Sequence, residues 1–208
     1  MFRVFNKNIK LDHTVQITSF GGSGTTMMYK FLEDNHVNVP SDGHDWLPWK
    51  HLPAPPDDNR VKDGFRALYI FSNPMNAVMS VFRRGYQHWH VQNMNMTDEY
   101  SAWDNRWNLH DYVEQGEDHF RMANQYYNWT HAKRSYPILL LKFDVLWERL
   151  PEVAAFLGLP SEKLSYFPKR RERQSDWTTQ PLHVRQGLER MYGELGKDID
   201  AAPDLKII

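Results

Sequence analysis

The feature that most constrains this chain is a glycine-rich segment between a strand-like and a helix-like stretch. Residues 19–26 read SFGGSGTT, and Val15 and Ile17 before them alternate with polar residues, as in a strand. Residues 27–32 then place apolar side chains at helical spacing. Glycines let the backbone turn tightly and aim several N–H groups at one anion, and the start of a helix adds positive potential. The layout favours a phosphate-binding loop, with a plain glycine-rich helix cap as the alternative.

The loop differs from the triphosphate-binding loop of kinases. That loop reads G-x-x-x-x-G-K-[ST], with a lysine directly before the last hydroxyl residue. Here Gly24 is followed by Thr25 instead. The hydroxyls of Ser23, Thr25 and Thr26 are potential donors to phosphate oxygens. The sequence therefore predicts a phosphate site without the lysine clamp, which argues against a small-molecule kinase.

The composition restricts the class of protein. The chain has 208 residues, of which 41% are hydrophobic, and this predicts a single domain over residues 1–208 with a sizeable core. It has no cysteine, which excludes disulfides, thiol catalysis and cysteine-bound zinc, and fits a reducing compartment such as the cytoplasm. No apolar run approaches the roughly 20 residues that span a bilayer. A net charge of -1 argues against a general nucleic-acid binder.

Segments with strand and helix character alternate along the chain. Beyond residues 14–35, strands are expected at Phe65 to Phe71 and at Pro137 to Phe143, the latter a continuous apolar run that suits burial on both faces. Helices are expected from Asn73 to about Arg84, His110 to about Arg134, Val145 to Leu157 and Pro181 to about Leu195, and a long surface loop over residues 40–60. This order predicts an α/β fold with a central parallel sheet flanked by helices, in which ligands bind at the carboxyl ends of the strands.

Four segments, in this order, resemble the sulfotransferases that use 3′-phosphoadenylyl sulfate (PAPS). Residues 19–26 resemble the family's 5′-phosphosulfate loop, which ends S-G-T-T, and residues 69–80 (YIFSNPMNAVMS) resemble its 3′-phosphate strand and helix. FLGLP at residues 156–160 resembles the family's F-L-G-L segment, and KRRERQSDW at residues 169–177 resembles its late basic loop. The resemblance implies a P-loop nucleotide-kinase-like (sulfotransferase) fold and PAPS as the cofactor, with 3′-phosphoadenosine 5′-phosphate as its product.

The resemblance also implies a set of site residues. Lys50-His51-Leu52-Pro53 resembles the family motif K-T-H-L-P, in which the histidine is the base. His51 then takes the catalytic role with Lys50 beside it, and His44 is the alternative base. The residues implied in cofactor binding are Gly21, Gly22, Ser23, Gly24, Thr25, Thr26, Ser80, Arg170 and Arg171. No metal is implied, and His88-Trp89-His90 is a poor zinc signature without further ligands.

Three positions depart from the family pattern. Gly22 stands where the family has a lysine or arginine, Ser72 where it has an arginine for the 3′-phosphate, and Met27 where an aromatic residue meets the adenine. A phosphate dianion needs compensating cations, which Arg170 and Arg171 can supply. Further candidates for this role are Arg83 and Arg84.

The expected activity is transfer of a sulfuryl group from PAPS to a hydroxyl or amine of a small-molecule or carbohydrate acceptor. His51 takes the acceptor proton, and the loop amides and Lys50 stabilise charge on the leaving phosphate. A non-catalytic nucleotide-binding protein on the same fold stays the alternative, because Gly22 and Ser72 are also what a decayed donor site would show. Several tryptophans between residues 89 and 129 suit either a buried cluster or an aromatic-lined acceptor site for a sugar or aromatic alcohol.

Overall fold

A four-stranded sheet forms the centre of the protein. The computed structural model describes residues 10–40, 48–95 and 107–208. Within them the strands are β1 (Val15–Thr18), β2 (Arg66–Phe71), β3 (Ile138–Lys142) and β4 (Leu205–Ile207), in the spatial order β1-β2-β3-β4. The first three are parallel, with Ile17 beside Leu68 and Leu68 beside Leu139, whereas β4 runs antiparallel to β3. The expected α/β architecture with a central sheet flanked by helices is confirmed, and the sheet departs from the expected parallel arrangement only at β4 within the described residues.

Seven α-helices surround the sheet in the described part of the chain. They are α1 (Thr25–Asp34), α2 (Pro74–Arg83), α3 (Gln87–Asn95), α4 (Leu109–Gln115), α5 (Met122–Thr130), α6 (Leu150–Leu157) and α7 (Leu182–Ala201). α1 and α6 pack on one face of the sheet, and the other helices contribute to the core on the opposite face. No helix within these ranges is both long enough and apolar enough to cross a membrane.

Alternation along the strands supplies core residues to both faces. In β2, Leu68 and Ile70 face α1 and α6, whereas Ala67, Tyr69 and Phe71 face the other helical layer. All five side chains are at most 1% exposed. Burial on both faces explains why β2 and β3 read as nearly continuous apolar runs in the sequence.

The single helix expected from His110 to about Arg134 is wrong. The chain forms α4 and α5 instead, and Gly116 ends α4 in the left-handed region (φ 69°), where a residue without a Cβ is favoured. Arg121, which is also left-handed (φ 49°), precedes α5. Between the two helices, the carboxylate of Asp118 accepts a hydrogen bond from the hydroxyl of Tyr192 at 2.7 Å. The break therefore depends on a polar contact with α7, which an apolar periodicity does not reveal.

Other elements differ from the expectation in extent or in existence. The helix expected from Val145 begins at Leu150, because the chain first forms the 3₁₀ turn Phe143–Val145. The last helix continues beyond Leu195 to Ala201. The helix α3 and the three-residue strand β4 have no counterpart in the sequence-based prediction. Short elements of this kind depend on tertiary packing more than on local pattern.

The segment expected as a surface loop at residues 40–60 is anchored where the structure describes it. Residues 41–47, which include His44, lie outside the described residues. From Pro48 on, the chain forms the 3₁₀ turns Pro48–His51 and Asp58–Arg60. Lys50 and Leu52 are only 4% and 6% exposed, so this part of the segment belongs to the protein interior.

Candidate functional site

A cavity of about 920 Å³ lies next to the carboxyl ends of the parallel strands. Its walls come from the glycine loop after β1, from α2 after β2 and from Phe143 after β3. Of the residues predicted to form the site, those that line the cavity are residues 21–26, Lys50, His51, Ser80 and Arg171, and Arg170 does not line it. Parallel α/β sheets bind their ligands at this edge.

The glycine loop has backbone donors that no protein group uses. Within the described residues, the N–H groups of Gly22, Ser23 and Gly24 donate to no protein acceptor, and all three residues line the cavity. The helix α1 begins directly after them, at Thr25. Consecutive N–H groups in such a turn, followed by a helix start, form a concave site for an anion.

Two of the three hydroxyls expected to bind phosphate form hydrogen bonds with other groups of the protein. Ser23 donates from its hydroxyl to the carbonyl of Gly21 at 3.0 Å, and its Oγ lies 2.9 Å from Ser72 Oγ. Thr25 Oγ1 lies 2.5 Å from Ser19 Oγ. Both residues are buried, at 1% and 5% exposure. Their hydroxyls therefore shape the loop in this structure.

Lys50 reaches the start of α1 from the neighbouring 3₁₀ turn. Its Nζ donates to Thr26 Oγ1 at 3.3 Å, and its side chain is buried. Thr26 itself is exposed and lines the cavity. The ammonium group and the N-terminal end of α1 both favour negative charge at this point. The two together extend the anion-binding character of the loop.

Hydrogen bonds from β1 hold the turn that carries Lys50 and His51. Gln16 Nε2 donates to the carbonyl of Trp49 at 2.7 Å, and the backbone N–H of Ser19 donates to the carbonyl of Lys50 at 2.9 Å. His51 Nδ1 lies 2.8 Å from the carbonyl oxygen of Ser19 and donates to it. Because the proton of the neutral ring is on Nδ1, the basic lone pair of His51 is on Nε2.

Gly22 leaves no room for the basic side chain that the resemblance puts at this position. Its φ is +67°, a left-handed conformation that costs a residue with a Cβ about 1–2 kcal/mol. A Cβ would also lie 3.0 Å from Ala77 Cα and 3.3 Å from Ser80 Cβ. The loop is therefore packed directly against α2 where the family has a lysine or arginine.

Restoring a basic residue at this position is expected to damage the protein. Gly22→Lys combines left-handed strain with a clash against α2, so we expect the free energy of unfolding to fall by about 2–4 kcal/mol. Gly64→Lys is the matched control, because Gly64 has a φ of +76° and nothing within 4 Å of a Cβ. It is expected to cost only the strain, about 1–2 kcal/mol. Urea unfolding measures both, and equal costs would contradict the clash.

Only some of the basic residues in the segment 169–173 line the cavity. Lys169 and Arg171 line it. Arg170 instead forms an exposed ion pair with Glu148 at 2.8 Å. The two arginines that the resemblance pairs at the cofactor are thus separated, with Arg171 at the cavity and Arg170 outside it.

Side chains of α2 fasten the stretch that follows this basic segment. Arg83 donates to Gln174 Oε1 at 3.1 Å and to Ser175 Oγ at 3.2 Å. Asn76 Oδ1 accepts the backbone N–H of Trp177 at 2.9 Å. These bonds hold residues 174–177 against α2, next to the segment from which Lys169 and Arg171 line the cavity.

The cavity is strongly cationic although the chain as a whole is not. Among the residues that the structure describes, the basic side chains that line it are Lys30, Lys50, Arg83, Arg84, Lys169 and Arg171, and the acidic one is Asp34. The complete chain has a net charge of -1. Charge of one sign that is concentrated in a concave site attracts ligands of the opposite sign. The site therefore favours a compact polyanion.

Sequence reasoning left an aromatic cavity wall near Trp89 as one of two alternatives, and it predicted neither the helix α3 nor a site role for His90 and Asn93. Trp89, His90 and Asn93 line the cavity from α3. Tyr86 and Trp89 are 43% and 46% exposed, so both rings are available to a ligand. The sequence of α3, QHWHVQNMN, has no clear apolar face. The only feature of the sequence that could have indicated this wall was the local density of tryptophan, histidine and asparagine.

The tryptophans of this region divide between the core and the cavity wall. Trp129 is fully buried, and its ring stacks on Tyr69 with centroids 5.2 Å apart. Trp89 belongs to the cavity wall. Trp103 lies outside the described residues. The buried cluster and the aromatic cavity wall therefore coexist.

Comparison with known proteins returns no relative: no protein-family model, no curated protein and no solved structure matches the chain. A function for this protein is therefore proposed from the residues of the cavity and from the motifs of the sequence.

Proposed function

We propose that this protein transfers a sulfuryl group from PAPS to a hydroxyl or amine of a small-molecule or carbohydrate acceptor. The observation that carries the proposal is the shared cavity. Four parts of the chain that are distant in sequence line this one cavity: the glycine loop, the turn with Lys50 and His51, Ser80 on α2, and Arg171. Each belongs to a segment whose motif resembles the PAPS-dependent sulfotransferases. We propose the P-loop nucleotide-kinase-like (sulfotransferase) fold for the same reason.

The charges of the cavity support a nucleotide with two phosphate groups. The amides of residues 22–24 and the start of α1 bind the 5′-phosphosulfate, as an anion at a helix start. Ser80 and Arg171 bind the 3′-phosphate, and Arg83 and Arg84 on the same wall supply the cations that Ser72 does not. The lack of cysteines fits a reducing compartment, and we propose that the reaction is cytoplasmic.

His51 acts as the base of the proposed reaction. The acceptor oxygen attacks the sulfur of PAPS in line with the bridging phosphate oxygen. One oxygen–sulfur bond forms, the bond from sulfur to the bridging oxygen breaks, and 3′-phosphoadenosine 5′-phosphate leaves with that electron pair. The acceptor proton passes to His51 Nε2, since Nδ1 already donates to the carbonyl of Ser19 at 2.8 Å.

Lys50 stabilises the leaving group in this proposal. Negative charge grows on the bridging oxygen as its bond to sulfur breaks, and donors aimed at such charge usually dominate catalysis. The Lys50 ammonium lies at the start of α1, 3.3 Å from Thr26 Oγ1. It takes the place of the basic side chain that Gly22 cannot carry.

Calorimetry with 3′-phosphoadenosine 5′-phosphate tests the nucleotide. The matched variants are Arg171→Ala and Arg170→Ala, sequence neighbours of which only Arg171 lines the cavity. Since a hydrogen bond to a charged group contributes about 1.5–3 kcal/mol, Arg171→Ala is expected to weaken binding about 10- to 100-fold. Arg170→Ala removes an exposed ion pair with Glu148 and is expected to change the affinity by less than about 3-fold.

The outcomes separate the candidate functions. No binding by the wild-type protein at millimolar nucleotide would remove PAPS from the proposal. Tight binding without sulfuryl transfer to a panel of phenols, sugars and amines would favour the non-catalytic binding protein, for which Gly22 and Ser72 are the motivating departures. Magnesium-dependent turnover of ATP would favour a kinase instead.

A further inference from the structure

Two histidines meet beside the glycine loop. The ring centroids of His51 and His90 are 4.7 Å apart, and the ring planes are at 80° to each other. His51 comes from the turn next to β1 and His90 comes from α3, and both line the cavity. The proposed base therefore has a second imidazole as its direct neighbour.

The two rings hold consecutive carbonyl groups of the backbone. His51 Nδ1 donates to the carbonyl of Ser19 and His90 Nε2 donates to the carbonyl of Phe20, both at 2.8 Å. Since a carbonyl oxygen only accepts, each of these two nitrogens carries a proton. The pair thus fixes the two peptide groups from which the glycine loop starts.

His90 also fits closely against the first glycine of the loop. A Cβ at Gly21 would lie 2.6 Å from His90 Cε1 and 3.0 Å from His90 Nε2. The φ of Gly21 is +98°, a conformation that residues with a Cβ rarely adopt. The imidazole occupies the space that a side chain at this position would need, so its position and that of the loop backbone are tied together.

The surroundings of His90 keep its ring neutral. The side chain is 6% exposed, and Phe120 packs against it with ring centroids 5.1 Å apart. Burial lowers the pKa of His90 well below the ordinary value for histidine. The charged groups that face it are His51 and Arg84, and both lower this pKa further. The buried ring of His90 is therefore the neutral member of the pair.

We propose that His90 is a positioning residue for the sulfuryl transfer: it fixes the backbone of residues 19–21 and keeps His51 in the Nδ1–H tautomer, with Nε2 as the base. The kinetic consequence rests on the proposed function, whereas the effect on the tautomer of His51 does not. The motif resemblance assigns no role to His90, so the assignment comes from its contacts alone.

Glutamine and asparagine at position 90 separate positioning from packing. A glutamine amide lies near the place of the histidine Nε2 and can still donate to the carbonyl of Phe20. Asparagine is shorter, and its amide lies near the place of Nδ1 instead. If both His90→Gln and His90→Asn lose stability, the loss reflects the packing of the imidazole ring. If the two variants differ in stability, the difference reflects the hydrogen bond to the carbonyl of Phe20. His88→Gln is the control on the same helix, since His88 is not among the described residues that line the cavity.

Two readouts apply to these variants. Nitrogen-15 NMR of the imidazoles reports the tautomer of His51 in the protein alone, and we expect Nδ1–H in the wild type, His90→Gln and His88→Gln, but mixed tautomers in His90→Asn. Steady-state kinetics with PAPS and an acceptor are the second readout. We expect kcat of His90→Asn to fall about 10²-fold with little change in KM for PAPS, since a small misplacement of a catalytic group has this effect. His90→Gln is expected to stay within about 5-fold of the wild type.

The outcomes distinguish this inference from the function on which it rests. Unchanged His51 signals together with an unchanged kcat in His90→Asn would overturn the positioning role, even with sulfuryl transfer established. If His90→Asn fails to fold while His90→Gln folds, the donor to Phe20 is itself required, which supports the role. Absence of transfer in the wild type would overturn the proposed function, and the tautomer comparison would still decide whether His90 controls His51.

Discussion

Replacing His51 with asparagine is expected to lower kcat about 10²- to 10⁴-fold, the range that general acid–base catalysis usually contributes. An asparagine amide lies near the place of the histidine Nδ1, so the donor to the carbonyl of Ser19, 2.8 Å away in the wild type, is retained. The variant loses the Nε2 lone pair that is proposed to accept the acceptor proton, and with it the ring contact with His90. KM for PAPS is expected to change little, because the loop amides, Ser80 and Arg171 remain in place.

The same substitution at an exposed histidine is the control. His36 has a left-handed φ of 58°, which asparagine tolerates, and His36→Asn is expected to keep wild-type kinetics. A kcat for His51→Asn within about 3-fold of the wild type would show that another group is the base. His44→Asn is then the next variant to measure.

The parallel part of the sheet follows from local sequence. The strand expected at Phe65 to Phe71 is observed as Arg66–Phe71, and the one expected at Pro137 to Phe143 as Ile138–Lys142. Both strands are buried on both faces, and double burial demands an uninterrupted apolar run that is visible without any tertiary information. The helices that directly follow β1 and β2 are equally visible, because glycines or an Asn-Pro pair mark where each begins.

The elements that sequence reasoning missed are held by partners far away in the chain. β4 is three residues long, and in the described ranges its pairing partner is β3. The break between α4 and α5 contains Asp118, whose partner Tyr192 lies on α7. No window of local sequence contains both members of these pairs, so periodicity alone predicted one long helix and omitted the strand.

The candidate site likewise contains parts that the local sequence predicts and parts that depend on residues far away in the chain. The glycine loop was predictable, because its glycines and the helical pattern that follows them are adjacent in the sequence. Lys50 and His51 were singled out only by the resemblance of their motif, and the partly buried turn that carries them was expected as a surface loop. The cavity wall of α3 was not predictable, because His90 gains its place through the carbonyl of Phe20 and the space beside Gly21. The separation of Arg171 from Arg170 likewise involves Glu148, which lies in the turn before α6, far from Arg170 in the sequence.

The departures at Gly22 and Ser72 belong to one structural arrangement. Ser72 Oγ lies 2.9 Å from Ser23 Oγ, and a Cβ at Gly22 would lie 3.0 Å from Ala77 Cα. Small residues therefore close the loop onto α2 at the two positions where the family has basic ones. The cations of the cavity come from other positions, among them Lys50. Lys50 is therefore the residue whose proposed role at the leaving group can be tested directly.

Lys50→Met is expected to lower kcat about 10²- to 10³-fold, the usual effect of removing one donor that stabilises developing charge. Methionine keeps the length and the apolar stem of the buried side chain, so the fold is expected to persist. The affinity for 3′-phosphoadenosine 5′-phosphate is expected to fall less than kcat, because the ammonium acts mainly on charge that appears as the bond to sulfur breaks. Single-turnover rates at saturating PAPS, with calorimetry for the product nucleotide, measure the two effects separately.

Lys30→Met is the matched comparison for this prediction. Lys30 lines the same cavity but is exposed on α1, whereas Lys50 is 4% exposed and bonded to Thr26 at the start of that helix. Both variants remove one positive charge from the cavity, and only Lys50→Met removes a donor from the place where the leaving oxygen is proposed to lie. We expect Lys30→Met to change kcat by less than about 3-fold, since exposed charges are screened by solvent. Equal losses in the two variants would mean that Lys50 contributes only to the general field of the cavity, and the leaving-group role would then have to be given to another donor.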